Sequence, residues 1–174
     1  MRECAMILYF VRHGIAEDWA ESGLDQDRRL TERGRKRIRQ CAQALRLLEI
    51  KPQIILSSPY PRAAETALII AEALGTDPPV LKEQLQPDGA NSHLLTECLN
   101  PDWNEVMIVG HQPNLSEYVA HLAGYGTNLI FKKGTVCRVE LQGEHGQVSW
   151  LLPPKVLIAL AEARQAKPAK PAKH

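Results

Sequence analysis

The feature that most constrains this chain is residues 6–11, Met-Ile-Leu-Tyr-Phe-Val, an unbroken apolar run of strand length that stops abruptly at Arg12-His13-Gly14. A short run with aromatic and branched members and no polar alternation reads as a strand buried on both faces, the condition of a mostly parallel sheet covered by helices. Such a strand delivers its next residues to the carboxyl edge of the sheet, where ligands bind in open α/β folds. Arg12 offers a planar fork of donors suited to a phosphate. His13 is the one side chain able to serve at neutral pH as nucleophile, acid or base. Gly14 lets the backbone turn sharply or approach a ligand closely.

The same grammar recurs twice. Residues 54–56 form a second apolar run, ending in Ser57-Ser58-Pro59-Tyr60-Pro61-Arg62, and residues 106–109 form another, ending in Gly110-His111-Gln112-Pro113-Asn114. Between the first two lies a polar loop, residues 15–29, and then a helix capped by Thr31, with Ile38, Cys41, Ala42, Leu45 and Leu48 at helical spacing. Its other face carries Arg33, Arg35, Lys36, Arg37 and Arg39, the pattern of a solvated helix side. A second helix starts at Pro61, sets Ala64, Ala67, Leu68, Ala71 and Leu74 on one face, and stops at Gly75. Val80 and Leu81 make a brief third strand, residues 90–99 a short helix, and Pro113 opens a helix through Leu115, Val119 and Leu122. Beyond Gly126 the pattern changes. Residues 129–131, 135–141 and 147–151 read as strands joined by short turns, with Gly143 to Gly146 closing a hairpin that adds an antiparallel edge. Pro153-Pro154 begin a last helix through Val156, Leu157, Leu160 and Ala161. The expected architecture is an α/β three-layer sandwich, a mostly parallel central sheet with helices on both faces and an antiparallel edge.

At 174 residues the chain suits one domain, residues 1–165, followed by a basic Lys/Pro/Ala tail, residues 166–174, expected to be disordered. A net charge of +1 gives no electrostatic case for nucleic acid, and no stretch has the apolar length of a membrane span. Without a signal-peptide pattern ahead of the first strand, a cytoplasmic protein is expected. Cys4, Cys41, Cys98 and Cys137 lie far apart, with no Cys-x-x-Cys pair, and read as small buried hydrophobes.

Three strands thus end in groups that suit an oxyanion. Arg62 falls in a helix's first turn, where free N–H groups and the dipole also favour an anion. Two histidines among arginines, with no carboxylate on these edges, would repel a divalent cation, so no metal is expected. No Gly-x-x-x-x-Gly-Lys loop is present, which leaves the basic side chains themselves to bind a phosphoryl group. Arg12-His13-Gly14, Arg28-Arg29-Leu30-Thr31-Glu32-Arg33-Gly34, Ser57-Ser58-Pro59 with Arg62-Ala63-Ala64-Glu65-Thr66, and Gly110-His111 together resemble the histidine phosphatase superfamily with its phosphoglycerate-mutase-like fold. Among its branches, the chain is most similar to the small SixA-type phosphohistidine phosphatases.

That resemblance implies that His13 is a nucleophile that becomes transiently phosphorylated, without a cofactor. It implies that Arg12, Arg62 and His111 grip the phosphoryl oxygens, with Arg28, Gly14 and Ser58 contributing to substrate binding. Relatives that cleave alkyl esters carry a glutamate after the third strand. Glu83 lies near that place, with Asp88 and Glu17 as alternatives, although a phosphoramidate leaving group needs little acid help. The short loops leave an open site, which fits a histidine displayed on another protein. The expected partner is therefore a phosphohistidine protein, the alternatives being a small phosphate ester such as a sugar or nucleotide phosphate, or a non-catalytic phosphate-binding role.

Overall fold

Alternation along β1 (Met6–Arg12) sends Leu8 and Phe10 to one face and Tyr9 and Val11 to the other, and all four are buried. This is the computed structural model's account of an unbroken apolar run: a central strand with a core on each side. The structure describes residues 6–87, 100, 102–124, 129–143 and 145–166. β2 (Ile54–Ser57), β3 (Val80–Leu81) and β4 (Glu105–Gly110) lie on one side of β1, and β5 (Val136–Gln142) and β6 (His145–Leu152) on the other. The six strands run in the order β3-β2-β4-β1-β5-β6, the first four parallel and the last two antiparallel. The mostly parallel sheet with an antiparallel edge is as the sequence implies.

Helices α1 (Glu32–Leu47), α2 (Pro61–Leu74) and α4 (Pro154–Gln165) contribute Ile38, Leu45, Ala67, Ile70 and Leu157 to the core beneath Tyr9, Val11 and Met107. Helix α3 (Asn114–Ala123) covers the other face, packing Leu115 and Val119 against Leu8, Phe10 and Ile108. Thr31 caps α1 as expected, its Oγ1 accepting the Gly34 N–H at 2.9 Å. A Cβ at Gly34 would lie 2.1 Å from the Ile15 carbonyl oxygen, so this glycine lets α1 press against the loop leaving β1. Gly75 ends α2 in the left-handed region, φ 70°.

Three expectations need correction. Residues 129–131 are not a strand: the Phe131 carbonyl accepts from the Arg12 guanidinium at 2.6 Å, and ladder-like bonds to β1 begin only with Gly134 and Thr135. The Phe131 carbonyl thus bonds a side chain, and it has no strand partner among the described residues. On α2 the buried stripe is Ala63, Ala67, Ile70 and Ala71, leaving Leu68 exposed, because Arg62 and Thr66 turn inward and rotate the helix from its most apolar face. Leu48 closes α1 as an exposed cap residue, outside the core. The helix expected over residues 90–99, Cys4, Cys98, Asp88 and residues 167–174 of the tail lie outside the described residues.

Candidate active site

Strand register brings the three special strand ends together. Arg12 stands opposite Gly110 and Ser57 opposite Val109. One step beyond, the His13 N–H donates to the Gly110 carbonyl at 3.1 Å and the Ser58 N–H to the Val109 carbonyl at 3.0 Å. His13 and His111 therefore face each other, ring centroids 5.1 Å apart, with the Tyr60 ring 5.4 Å from His111 and the Arg62 guanidinium 5.1 Å above Tyr60. His13, Ser58, Arg62 and His111 are all buried.

A backbone carbonyl fixes the tautomer of His13. His13 Nδ1 lies 2.8 Å from the Gly14 carbonyl oxygen, which can only accept, so Nδ1 carries the proton and Nε2 keeps its lone pair. Burial first, then the His111 ring, then the charges of Arg62 and Arg12, push the His13 pKa down to about 3 against the opposing Gly14 bond. Burial and the Arg62 charge do the same to His111, again to about 3. Both rings are neutral at pH 7. The Ser58 hydroxyl, already accepting the Tyr60 N–H at 3.3 Å, lies 2.8 Å from His111 Nε2; when it donates there, the His111 proton sits on Nδ1.

Three polar atoms in this cluster are buried without a partner: Arg12 Nε, Arg62 Nε and His111 Nδ1. A buried unmade hydrogen bond costs on the order of 1–3 kcal/mol. The two guanidinium N–H groups are donors, and the Nδ1 tautomer of His111 makes a third beside the bare nitrogen of His13. Chemically, such a set of donors beside an unprotonated ring nitrogen can bind a tetrahedral oxyanion and attack it.

Gly14 and Arg62 are tied together by Thr66, whose Oγ1 accepts the Gly14 N–H at 3.0 Å and donates to the Arg62 carbonyl at 2.7 Å. Gly14 has no room for a side chain: a Cβ would sit 2.8 Å from Ile38 Cγ1. The close approach that needs this glycine is thus to helix α1. Asp25, on a 3-10 turn (Asp25–Asp27) of the loop after β1, reaches both remaining arginines. Its Oδ2 accepts from Arg62 Nη2 at 2.9 Å and its Oδ1 from Arg28 Nε at 2.8 Å, while Arg28 Nη1 holds the Glu17 carbonyl at 2.7 Å. Burial opposes ionisation of Asp25, but the Arg28 hydrogen bond and the charges of Arg62 and Arg28 outweigh it and hold the carboxyl below its ordinary value.

Sequence reasoning missed the roles of Asp25 and Thr66. Asp25 sits in a polar loop 37 positions from Arg62, and Thr66 reads locally as a helical threonine bonding back one turn. The carboxylates of Glu83 and Glu17 have partners near them in the chain or loop. Glu83 is exposed on a 3-10 turn (Glu83–Leu85), its carboxylate bonded to the Gln86 amide. The Glu17 carboxylate accepts the Arg29 N–H at 3.1 Å.

Residues 8–86 match the model of the histidine phosphatase superfamily, branch 1. An uncharacterized protein of Picosynechococcus sp. (strain ATCC 27264 / PCC 7002 / PR-6) is 42% identical over 138 residues, 75% of this chain and 82% of the relative. Among solved structures, the protein histidine phosphatase SixA in complex with tungstate superposes with a TM-score of 0.79 at 25% identity, covering 86% of this chain and 98% of that one. The alpha-ribazole phosphatase of Shigella flexneri shares the fold, with a TM-score of 0.61 at 18% identity, covering 86% of this chain and 97% of that one. With its imidazole pair on adjacent parallel strand ends and arginines on either side, the chain belongs to the histidine phosphatase superfamily and is a phosphatase of that superfamily.

Proposed function

We propose that the chain is a metal-independent protein phosphohistidine phosphatase working through a phosphorylated His13. The observation that supports this reading is that Arg12 Nε, Arg62 Nε and His111 Nδ1 are buried without partners, with the His111 ring 5.1 Å from a His13 ring whose Nε2 keeps its lone pair. Similarity to SixA, whose solved complex holds tungstate, supports the same chemistry here. Arg12, Arg62 and the neutral His111 donate to the equatorial phosphoryl oxygens, where negative charge spreads in the transition state. Ser58 sets the proton of His111 on Nδ1, and Gly14 sets that of His13. Arg28 approaches from the loop through Asp25.

In the first step the Nε2–P bond forms as the P–N bond to the substrate imidazole breaks. In the second, water attacks the phosphohistidine, the P–Nε2 bond breaks, and phosphate leaves with both water protons, returning neutral His13. Charge is neutralised by arginines throughout, so neither step calls for a metal. Cys41 and Cys137, buried free thiols, suit a reducing cytoplasmic setting.

Rapid-quench labelling with a phosphorus-32 phosphohistidine protein tests the reading. The expected result is an acid-labile, base-stable adduct that disappears in His13→Ala, with turnover retained in EDTA. Equal labelling of His13→Ala, or turnover that EDTA abolishes and magnesium or zinc restores, would overturn it. A wild-type preference for sugar phosphates would replace it with the small-molecule reading.

A further inference from the structure

Beside the phosphoryl site the loop after β1 encloses a cavity of about 110 Å³, lined by Asp18, Trp19, Leu24, Asp25 and Arg28 among others. It shares Asp25 and Arg28 with the arginine cluster, and Asp25 is bonded directly to Arg62. Through Asp25 the cavity connects to the guanidinium of Arg62, which stands 5.1 Å from the Tyr60 ring centroid, itself 5.4 Å from that of His111. Its size approaches the ~150 Å³ that holds a benzene ring in an engineered cavity, room for a smaller five-membered ring.

The lining is unusual for a pocket next to an anion site. Asp18 and Asp25 line it with a single arginine, Arg28, whose guanidinium is already engaged by Asp25 Oδ1 and the Glu17 carbonyl. The Trp19 side chain is 84% exposed, an aromatic ring held at the surface with no core to fill. The Asp25 side chain is 64% exposed, although its Oδ2 holds an arginine whose side chain is 4% exposed. A flat, cationic ring satisfies all three features: it stacks on Trp19, donates to Asp25, and is repelled by nothing unpaired.

Resting on the phosphohistidine reading, we propose that this cavity is the leaving-group subsite and that Asp25 makes it selective for a protonated imidazole. The substrate's phosphorylated ring, carrying a proton on its other nitrogen, lies against Trp19 and donates that N–H to Asp25. As the P–N bond breaks, the electron pair returns to the ring nitrogen and the ring leaves as neutral imidazole, its remaining N–H already in place. No separate general acid takes part, which accounts for the position of Glu83 on an exposed turn bonded to Gln86. An uncharged phenol or sugar ring gains nothing from Asp25.

The test compares kcat/KM for phosphoimidazole and phenyl phosphate in wild type, Asp25→Asn and Trp19→Ala. The ratio of the two constants should fall about tenfold in Asp25→Asn, the scale of one charge-assisted hydrogen bond, and roughly twofold to fivefold in Trp19→Ala. Vanadate inhibition reports whether each phosphoryl pocket is intact, and should Asp25→Asn lose it, Trp19→Ala decides alone. Equal losses on both substrates would mean that Asp25 acts only by holding Arg62, and would overturn the proposal. Ratios within twofold of wild type in both variants would do the same, leaving the phosphohistidine reading standing. A wild-type enzyme with no turnover of phosphoimidazole would overturn both.

Discussion

Replacing Gly14 by alanine probes how tightly the backbone beside His13 is held. The added Cβ would lie 2.8 Å from Ile38 Cγ1 and 3.2 Å from both Ile38 Cδ1 and Leu30 Cδ2. Carbon pairs rest at about 3.5–4.0 Å, so something must give by more than half an ångström. Ile38 and Leu30 are both buried and packed, which makes the exposed side of the loop the easier direction of yield. Overpacking of this kind costs about 1–3 kcal/mol, or roughly 2–12 °C in Tm for a domain of this size. The same movement carries away the Gly14 carbonyl that orients His13 and the N–H that binds Thr66. A misplacement approaching 1 Å at a reacting group costs up to ~100-fold in rate, so a loss of tenfold or more in kcat is expected. Thermal unfolding and single-turnover phosphate release would be measured for wild type, Gly14→Ala, Ile38→Ala and the double variant. Ile38→Ala should recover part of both losses when combined with Gly14→Ala, a favourable coupling of about 0.5–3 kcal/mol. A Gly14→Ala protein with unchanged Tm and kcat would refute the reasoning.

Arg62→Ala should lower kcat/KM by ~100-fold or more, as loss of a fixed oxyanion donor does, and by more than Arg28→Ala, because Arg62 is buried on a helix while Arg28 hangs from a loop; steady-state kinetics of the two variants decides the order. Glu83→Gln should leave phosphohistidine turnover within about twofold of wild type, since the Glu83 carboxylate bonds only its neighbour Gln86 on an exposed turn; a tenfold loss would make Glu83 the acid. Stability should decline in acid through His13 and His111. Their folded values of about 3 lie below the ordinary 6.5, so the unfolded chain binds protons first. Stability is intact above pH ~6.5 and is lost by about 1.4 kcal/mol per pH unit per histidine as pH falls toward 3, or roughly 4 kcal/mol for the pair at pH 5. Urea midpoints at pH 7 and pH 5 should show this difference in wild type and lose most of it in a His13→Gln/His111→Gln protein; equal wild-type midpoints would contradict it.

What the sequence showed plainly was whatever depends on local pattern. Residues 6–11, 54–56 and 106–109 read as buried strands, because nothing polar interrupts them and each is too short for a helix, and Thr31 and Gly75 marked helix ends by chemistry that needs no partner elsewhere. Arg12, His13, Arg62 and His111 followed from strand ends meeting at one edge. What it concealed depends on distant groups. Residues 129–131 have the composition of a strand, but the Phe131 carbonyl serves the Arg12 guanidinium 119 positions away. Asp25 looks like any loop acid until α2 brings Arg62 to it. Thr66 gains its second bond only when the chain after β1 crosses its helix. Each of these was set by where a polar group found its partner, which no window of neighbouring residues reports.

β1 is hydrogen-bonded on both sides, parallel to β4 and antiparallel to β5. Arg12, His13 and His111 consequently issue from the interior of the ladder, where amide hydrogens should exchange only when the whole molecule opens. Asp25, Arg28 and Trp19 belong to an exposed connection, whose amides should exchange by local opening. Descendants of this chain can therefore lengthen, shorten or replace that connection, and so change which molecule is received, while the strands keep the pair of imidazoles in register. The two halves of the site are inherited on different terms.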